Sequence, residues 1–534
     1  MILDRIDQWF AAVERFGGSL ARSKRLAVAI CGLLVLLVRL VELPRMPVPV
    51  PRILDEFSYL LANDTFSSGR LTNPQHPLWT RFESIHILQS PTYMSMYPPA
   101  QGLFLALGQK LTGVPWTGVL LSVSLACAAM CWMLQGWLPP GWALFGGLLI
   151  AMRIGPFSYW MNTYYGGGVA MLGGALVFGA LPRVMRRANL RDALLLALGL
   201  AIVANSRPYE GVIAAIPVAA ALALWLFRGR GDARARWLGV AVPIVCVLAV
   251  TGVWMGYYNW RVTGDPFLFP QVLDRQTYAV APYFMWESER PEPVYRHEIL
   301  RRYYVTWEGR FQSSDEQVLL EGWLSSIGER FLNVWRIFLG GVLSVPLVLA
   351  PYALLDRRMR FWAWSAPVFL VGLGLARFTQ AHYVAPMMGG IYVVSMQAMR
   401  HLRYREPGVR STGLWIVRAV AVIAVGAFVH KFAIAETGMN YQWQFDRAQL
   451  QERLERMPGK QLVMVRYGAK HFLDQEWVYN RADIDRAKVV WAREMVNAAD
   501  NADLQAYFHD RACWILEPDV DQSRLTPCSP LRTP

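Results

Sequence analysis

Apolar runs of 15–24 residues, separated by short basic clusters, fill the first 430 positions of this 534-residue chain. An α-helix needs about 20 apolar residues to cross roughly 30 Å of hydrocarbon. Runs at 25–43, 114–137, 140–156, 164–182, 192–206, 209–227, 237–257, 331–355, 361–376, 384–400 and 413–431 meet or approach that length. They predict a mainly α, polytopic helical membrane protein of about 11 spans. The run 97–112 is short, opens Tyr97-Pro98-Pro99 and contains Lys110, so it is expected to be re-entrant or juxtamembrane. Residues 1–24 are amphipathic and carry Arg5, Arg15, Arg22 and Lys24, the pattern of a cytoplasmic helix lying on the membrane. Basic clusters at 183–191, 228–236, 356–360 and around Arg400–Arg405 orient the chain with its N-terminus inside and its C-terminal region outside.

Three polar stretches interrupt or follow this pattern. Two are long outer loops, 44–113 and 258–330, within a membrane domain of 25–431. The third, 440–534, has mixed periodicity. Gln461–Tyr467 and Cys513–Leu516 alternate like strands, while Asp483–Asn497 and Leu504–His509 read as helices. A small extracytoplasmic α/β domain is expected there.

Composition sharpens the picture. The chain is 54% hydrophobic and 17% charged, against about 25% charged in soluble proteins. The net charge of +14 sits as arginines in short loops, which makes it a topology signal and excludes a nucleic-acid partner. Cys31, Cys127, Cys131 and Cys246 lie in apolar runs as packing residues. Cys513 and Cys528, fifteen apart in the polar region, suit a disulfide in an oxidising compartment.

Candidate chemistry gathers on the outer side. Asp55 and Glu56 follow the first span and open a short helix that closes at Ser68-Gly69. Asp55 and Tyr59 share a helix face, whereas Glu56 points about 100° away. Acids also favour a helix start for electrostatic reasons alone, so the pair reads either as a solvated N-terminus or as a catalytic base at the membrane surface. Tyr97, Tyr164, Tyr165 and Tyr383 are aromatic candidates for packing on a sugar, or members of an interfacial belt. Arg207, followed by Glu210, either snorkels or binds a phosphate; Arg377 and His382 are further candidates for the same anion. His76 and His86 read as solvated loop residues, no cluster has metal-ligand spacing, and Gly166-Gly167-Gly168 lacks the strand that a nucleotide loop needs.

These residues carry a resemblance. Asp55-Glu56 with its aromatic helix, Tyr97-Pro98-Pro99, the run from Leu198 to Arg207-Pro208, and His382-Tyr383-Val384-Ala385-Pro386 resemble, in order and sidedness, the GT-C membrane glycosyltransferases. The type is that of bacterial protein O-mannosyltransferases and aminoarabinose transferases (glycosyltransferase family 39-like). His382 stands where that group usually has Arg. The resemblance covers roughly residues 25–430 and leaves 440–534 unplaced. It implies an inverting transferase that uses a polyprenyl-phosphate sugar donor and a lipid, glycan or protein acceptor in a bacterial inner membrane. Asp55 would be the base, Glu56 would orient the acceptor or Asp55, and Arg207 would hold the phosphate, with Tyr59, Tyr97, Tyr164, Tyr165, Glu210, Arg377, His382 and Tyr383 lining the substrate site. Some relatives need a divalent metal; no metal or other cofactor is expected here. The competing expectations are a flippase of lipid-linked sugars and an envelope assembly protein acting through its C-terminal domain.

Overall fold

The computed structural model describes residues 2–228, 232–309, 320–404, 407–434 and 442–528. Its membrane half is a helical bundle. Helices α1 (Ile2–Arg22) and α2 (Lys24–Val41) precede α3 (Leu54–Ser67), α4 (Pro99–Thr112), α5 (Trp116–Trp137), α6 (Pro140–Ile154), α7 (Gly168–Arg187), α8 (Leu190–Ala204) and α9 (Pro208–Arg228). Five described helices are long and apolar enough to cross a membrane: α5, α7, α9, Ala233–Thr263 and Thr412–Ile434. The helix α1 leaves Trp9 and Phe16 exposed along one side, as expected for a helix seated on a membrane surface. At 14 residues, α4 is about 21 Å long, well short of the hydrocarbon thickness.

Small residues set the packing. A side chain on Gly199 of α8 would meet the Gly173 carbonyl of α7 at 2.7 Å, so both glycines are needed for these backbones to touch. The stretch expected as one span at 331–355 is instead two helices, Gly328–Phe338 and Gly340–Leu354, bent by 100°. The bend falls at Gly340, whose φ of +61° favours a residue without a side chain. Pro346 and Pro351 then interrupt the second helix's hydrogen bonding.

The polar C-terminal region forms a four-stranded sheet of order β5-β4-β6-β7, from β4 (Lys460–Val465), β5 (Val489–Arg493), β6 (Arg511–Leu516) and β7 (Leu525–Pro527). β4 pairs in parallel with β5 and β6; β7 is antiparallel. Cys513 and Cys528 form the expected disulfide beside that antiparallel pair. The helix expected at Asp483–Asn497 is corrected: this stretch holds a turn and then β5, and the helix starts only at Ala498, capped by Asn497. Every residue of β5 is buried, so its V-V-W-A-R run lacks the period-two alternation that marks a one-sided strand.

This sheet shares its core with the first outer loop. Leu61, Phe82, Ile87 and Tyr93 pack with Leu462, Met464 and Val490. Phe57 packs with Trp443, Trp477 and Trp491. The helix α3 is therefore a wedge. Phe57, Leu61 and Asp64 share one face, where the Asp64 carboxylate accepts from the Ala482 N–H (2.7 Å). Asp55 and Tyr59 lie on the opposite face. A buried ion pair, Arg493–Glu476 at 2.6 Å, sits under the same interface, and Arg493 also donates to the Glu83 carbonyl. The C-terminal domain thereby fixes the direction in which Asp55 points.

Candidate functional site

Asp55 lies in the first turn of α3. Its Oδ1 accepts a hydrogen bond from the Tyr97 hydroxyl, and its side chain stays 31% exposed. Tyr97 is held from several sides. Its ring stacks on Tyr59 at 4.5 Å, and its N–H donates to Ser95 Oγ, which bonds Ser58 Oγ at 2.7 Å. The strand β3 (Thr92–Ser95) delivers that Ser95.

His86 joins this group against the expectation of a solvated loop residue. Its Nδ1 lies 3.1 Å from the Tyr97 hydroxyl and 3.6 Å from Asp55 Oδ1, and its Nε2 is 3.2 Å from the Tyr303 hydroxyl. The residue has φ +64°, a left-handed conformation that is costly for histidine. Its carbonyl is tied to Ser58 Oγ and the Met96 N–H, which hold it there. Burial pushes the His86 imidazole below the usual histidine range, with Asp55 pulling it back. Asp474, from the loop after β4, shares the field: burial raises its carboxyl, and the Asp55 charge raises it further.

Glu56 is placed differently. It is fully buried. One oxygen accepts from the Arg52 N–H (3.3 Å) and lies 3.5 Å from the Arg52 guanidinium. The other accepts from the Tyr164 N–H (3.1 Å). Glu56 therefore pins the 160s loop to α3, and Tyr164 closes the clasp by donating to the Pro49 carbonyl. The segment lies in the loop between α2 and α4, outside the spans. Burial raises the Glu56 carboxyl to about 7, against the opposing pull of Arg52 and the two N–H groups. That is above the unfolded value of about 4.3, so the folded state holds a proton that the unfolded state has lost. The associated stability is fully present below about pH 4.3 and is lost as pH rises through 7, at roughly 1.4 kcal/mol per unit. Glu56→Gln removes this titration and leaves one backbone N–H without its acceptor. The variant is expected to be less stable than wild type at pH 5, with the gap narrowing by pH 8. Melting temperatures of both proteins at the two pH values check it; a gap independent of pH would refute the raised titration.

Arg207 sits between α8 and α9, its guanidinium 4.3 Å above the Tyr383 ring. Beside it is a cavity of about 370 Å³ that is also lined by Tyr97, Glu210, Tyr283, Glu287 and Arg290. Tyr97 thus faces Asp55 with its hydroxyl and the Arg207 cavity with its flank. Tyr59 experiences the charges of both Arg207 and Asp55. Among the described residues Arg207 forms no ion pair, whereas Arg275 on the same wall is neutralised by Glu308 at 2.6 Å. One terminal nitrogen of Arg290 is buried without a hydrogen-bond partner.

The remaining candidates divide. His382 is buried, 3.2 Å from the Tyr159 hydroxyl and edge-on to Tyr165, so it belongs to the aromatic wall beside Tyr383. Arg377 lies further out. Its N–H donates to the Tyr283 carbonyl and its guanidinium to the Glu287 carbonyl (3.4 Å), bracing the loop that roofs the cavity. The structure thus brings together Asp55, Tyr59, Tyr97, Arg207, Glu210 and Tyr383, and puts Glu56, Tyr164 and Arg377 in supporting positions. Sequence reasoning did not assign His86 or Arg290 to the site: His86 is carried onto Asp55 by a fold of their shared loop, and Arg290 comes from a loop remote in sequence. Among the described residues no group of three or more His, Cys, Asp or Glu side chains is set to hold a metal ion.

No protein-family model matches the sequence, and no curated protein matches it significantly. The fold does match solved structures. The crystal structure of the apo oligosaccharyltransferase of Archaeoglobus fulgidus superposes with a TM-score of 0.50 at 12% identity, over 83% of this chain and 62% of that one. The crystal structure of apo ArnT from Cupriavidus metallidurans superposes with a TM-score of 0.51 at 13% identity, over 92% of this chain and 93% of that one. The chain thus spans less than two thirds of the archaeal protein and nearly all of ArnT. At these identities the likeness establishes the fold, a GT-C-type helical membrane fold with a small C-terminal α/β region.

Proposed function

We propose that this chain is a membrane glycosyltransferase that moves a sugar from a polyprenyl-phosphate donor to an acceptor hydroxyl, with inversion. The observation that carries this reading is the double role of Tyr97, which binds a part-exposed carboxylate on one side and lines an arginine-bearing cavity on the other. Asp55 takes the proton of the acceptor hydroxyl as that oxygen attacks the anomeric carbon. The carbon–oxygen bond to phosphate breaks, Asp55 is left protonated, and Arg207 holds the charge of the departing lipid phosphate. A phosphate is already a good leaving group, so no strong general acid is required.

The lipid has a path as well. An almost wholly apolar groove of about 390 Å³ runs along the bent helix pair, walled by Trp335, Leu339, Phe369, Leu373 and Ile391, and it reaches Val384. Val384 follows Tyr383, the residue beneath Arg207. A phosphate at Arg207 can therefore trail a prenyl tail into this groove. In this reading the protein lies in a bacterial inner membrane with its N-terminus cytoplasmic and its C-terminal domain periplasmic, where the Cys513–Cys528 disulfide persists. The two named structural neighbours, an oligosaccharyltransferase and ArnT, share the fold and add to the case.

The test is transfer itself. Purified protein in detergent is given radiolabelled polyprenyl-phosphate sugars and an envelope extract, and label is followed into acceptor. At least one donor is expected to be consumed with release of polyprenyl phosphate. Retention of donors without consumption, in an extract proven to hold acceptor, would move the assignment to a flippase of lipid-linked sugars.

A further inference from the structure

Three helices that begin on the candidate site's side of the bundle end together around a second cavity. α5 runs from Trp116 to Trp137, α7 from Gly168 to Arg187, and α9 from Pro208, beside Arg207, to Arg228. Twenty-one residues of helix place Arg228 about 31 Å from the start of α9. At that far end lies an open cleft of about 890 Å³, into which Arg186, Arg228, Arg357 and Arg358 face. Its lining contains no Asp or Glu among the described residues. Among the described residues none of the four forms an ion pair. Arg186 donates, among the described residues, to the Pro182 and Gly136 carbonyls alone. The nearest acid in sequence, Asp356, is occupied by the Arg358 N–H and the Gln397 amide.

The walls are apolar and aromatic. Trp137, Trp225, Phe361 and Trp364 line them together with Leu181 and Leu224. Loop arginines suffice to orient a membrane protein, but orientation does not require a concave, acid-free cleft with indole walls. Guanidinium groups match phosphate oxygens in bidentate fashion, and indoles sit at the level of lipid head groups. Basic pockets between membrane helices on the inner side suit anionic head groups. We propose that this cleft, at the membrane face opposite the candidate active site, binds one phospholipid with an anionic head group. Its phosphate lies among Arg228, Arg357 and Arg358, and its acyl chains descend along Trp225 and Leu224.

The experiment uses the full-length protein in detergent, with native mass spectrometry of lipid adducts after incubation with phosphatidylglycerol or phosphatidylcholine. Wild type is expected to keep a single phosphatidylglycerol with about tenfold preference over phosphatidylcholine. The variant Arg228→Gln/Arg357→Gln/Arg358→Gln is expected to lose that preference. A charge-matched control, Arg5→Gln/Arg15→Gln/Arg22→Gln on α1, is expected to keep it. Equal retention of both lipids by wild type would overturn the proposal. So would an equal loss in the control, which would assign the effect to diffuse surface charge. Inorganic phosphate is expected not to displace the lipid at millimolar concentration; displacement would mean a free-anion site and would also overturn it. Melting temperatures of both variants in phosphatidylcholine, unchanged from wild type, show that loss of preference is not loss of fold.

Discussion

Replacing Asp55 with Asn is expected to lower sugar transfer by about 10²–10⁴-fold, the usual contribution of a positioned general base, while donor binding is unchanged. Asn has the same shape and still offers Oδ1 to the Tyr97 hydroxyl, so the stack of Tyr97 on Tyr59 should persist. What disappears is the ability to accept the acceptor's proton. The readout is single-turnover transfer set beside equilibrium binding of the same donor, so that a lost step is separated from a lost site. Equal transfer by both proteins would remove Asp55 from the mechanism. Glu56 would not inherit the role easily, since both of its oxygens are engaged inside the protein. Asp474, the other carboxylate that feels Asp55, would be tested next.

The parts of this arrangement that could be read from the sequence are those set by local rules. Helix positions follow from the apolar runs, although among the described residues only five helices, or six if the bent pair counts as one, are long and apolar enough to cross a membrane, against the eleven spans expected. The helix α3 starts and stops as its acids and Ser68-Gly69 indicate, because Gly69 adopts the left-handed conformation (φ +74°) that ends a helix. The facing of Asp55 and Tyr59 follows from helical periodicity. What escaped is set by contacts between distant segments. His86 reaches Asp55 only because the outer loop folds back through β3, and Tyr303 arrives from more than 200 residues away. The strand β5 has no alternating pattern because the sheet is covered on both faces. The bend at Gly340 needed knowledge that the apolar run would lie against its neighbours instead of continuing straight.

The C-terminal domain connects these two levels. Read alone, residues 440–534 look like an appendage. In the structure they supply half of the core under α3, so the direction of Asp55 depends on residues more than 400 positions away. This joins the enzyme reading to the expectation that the domain matters in its own right: its packing orients Asp55, and the Asp55 charge raises the carboxyl of Asp474 in its loop.

Arg207→Met should weaken binding of a polyprenyl-phosphate donor by about 10–150-fold, the equivalent of losing one charge-assisted contact of about 1.5–3 kcal/mol. Methionine keeps an unbranched apolar stem over Tyr383, so the change isolates the charge from the packing. Arg207→Lys should recover part of the affinity, because the charge returns without the planar fork that engages two oxygens. The transfer rate at saturating donor should also fall, because the charge that Arg207 meets grows as the sugar–phosphate bond breaks. Isothermal binding of the donor and of polyprenyl phosphate, alongside transfer at saturation, separates these effects. If affinity for polyprenyl phosphate is the same in wild type and Arg207→Met, the phosphate is held elsewhere. The cavity then leaves Arg290, whose buried terminal nitrogen has no hydrogen-bond partner among the described residues. Arg275 is the weaker candidate, because Glu308 already balances its charge. Either outcome fixes which side of the cavity faces the phosphate, and hence the side from which an acceptor hydroxyl must approach Asp55 for an in-line, inverting attack.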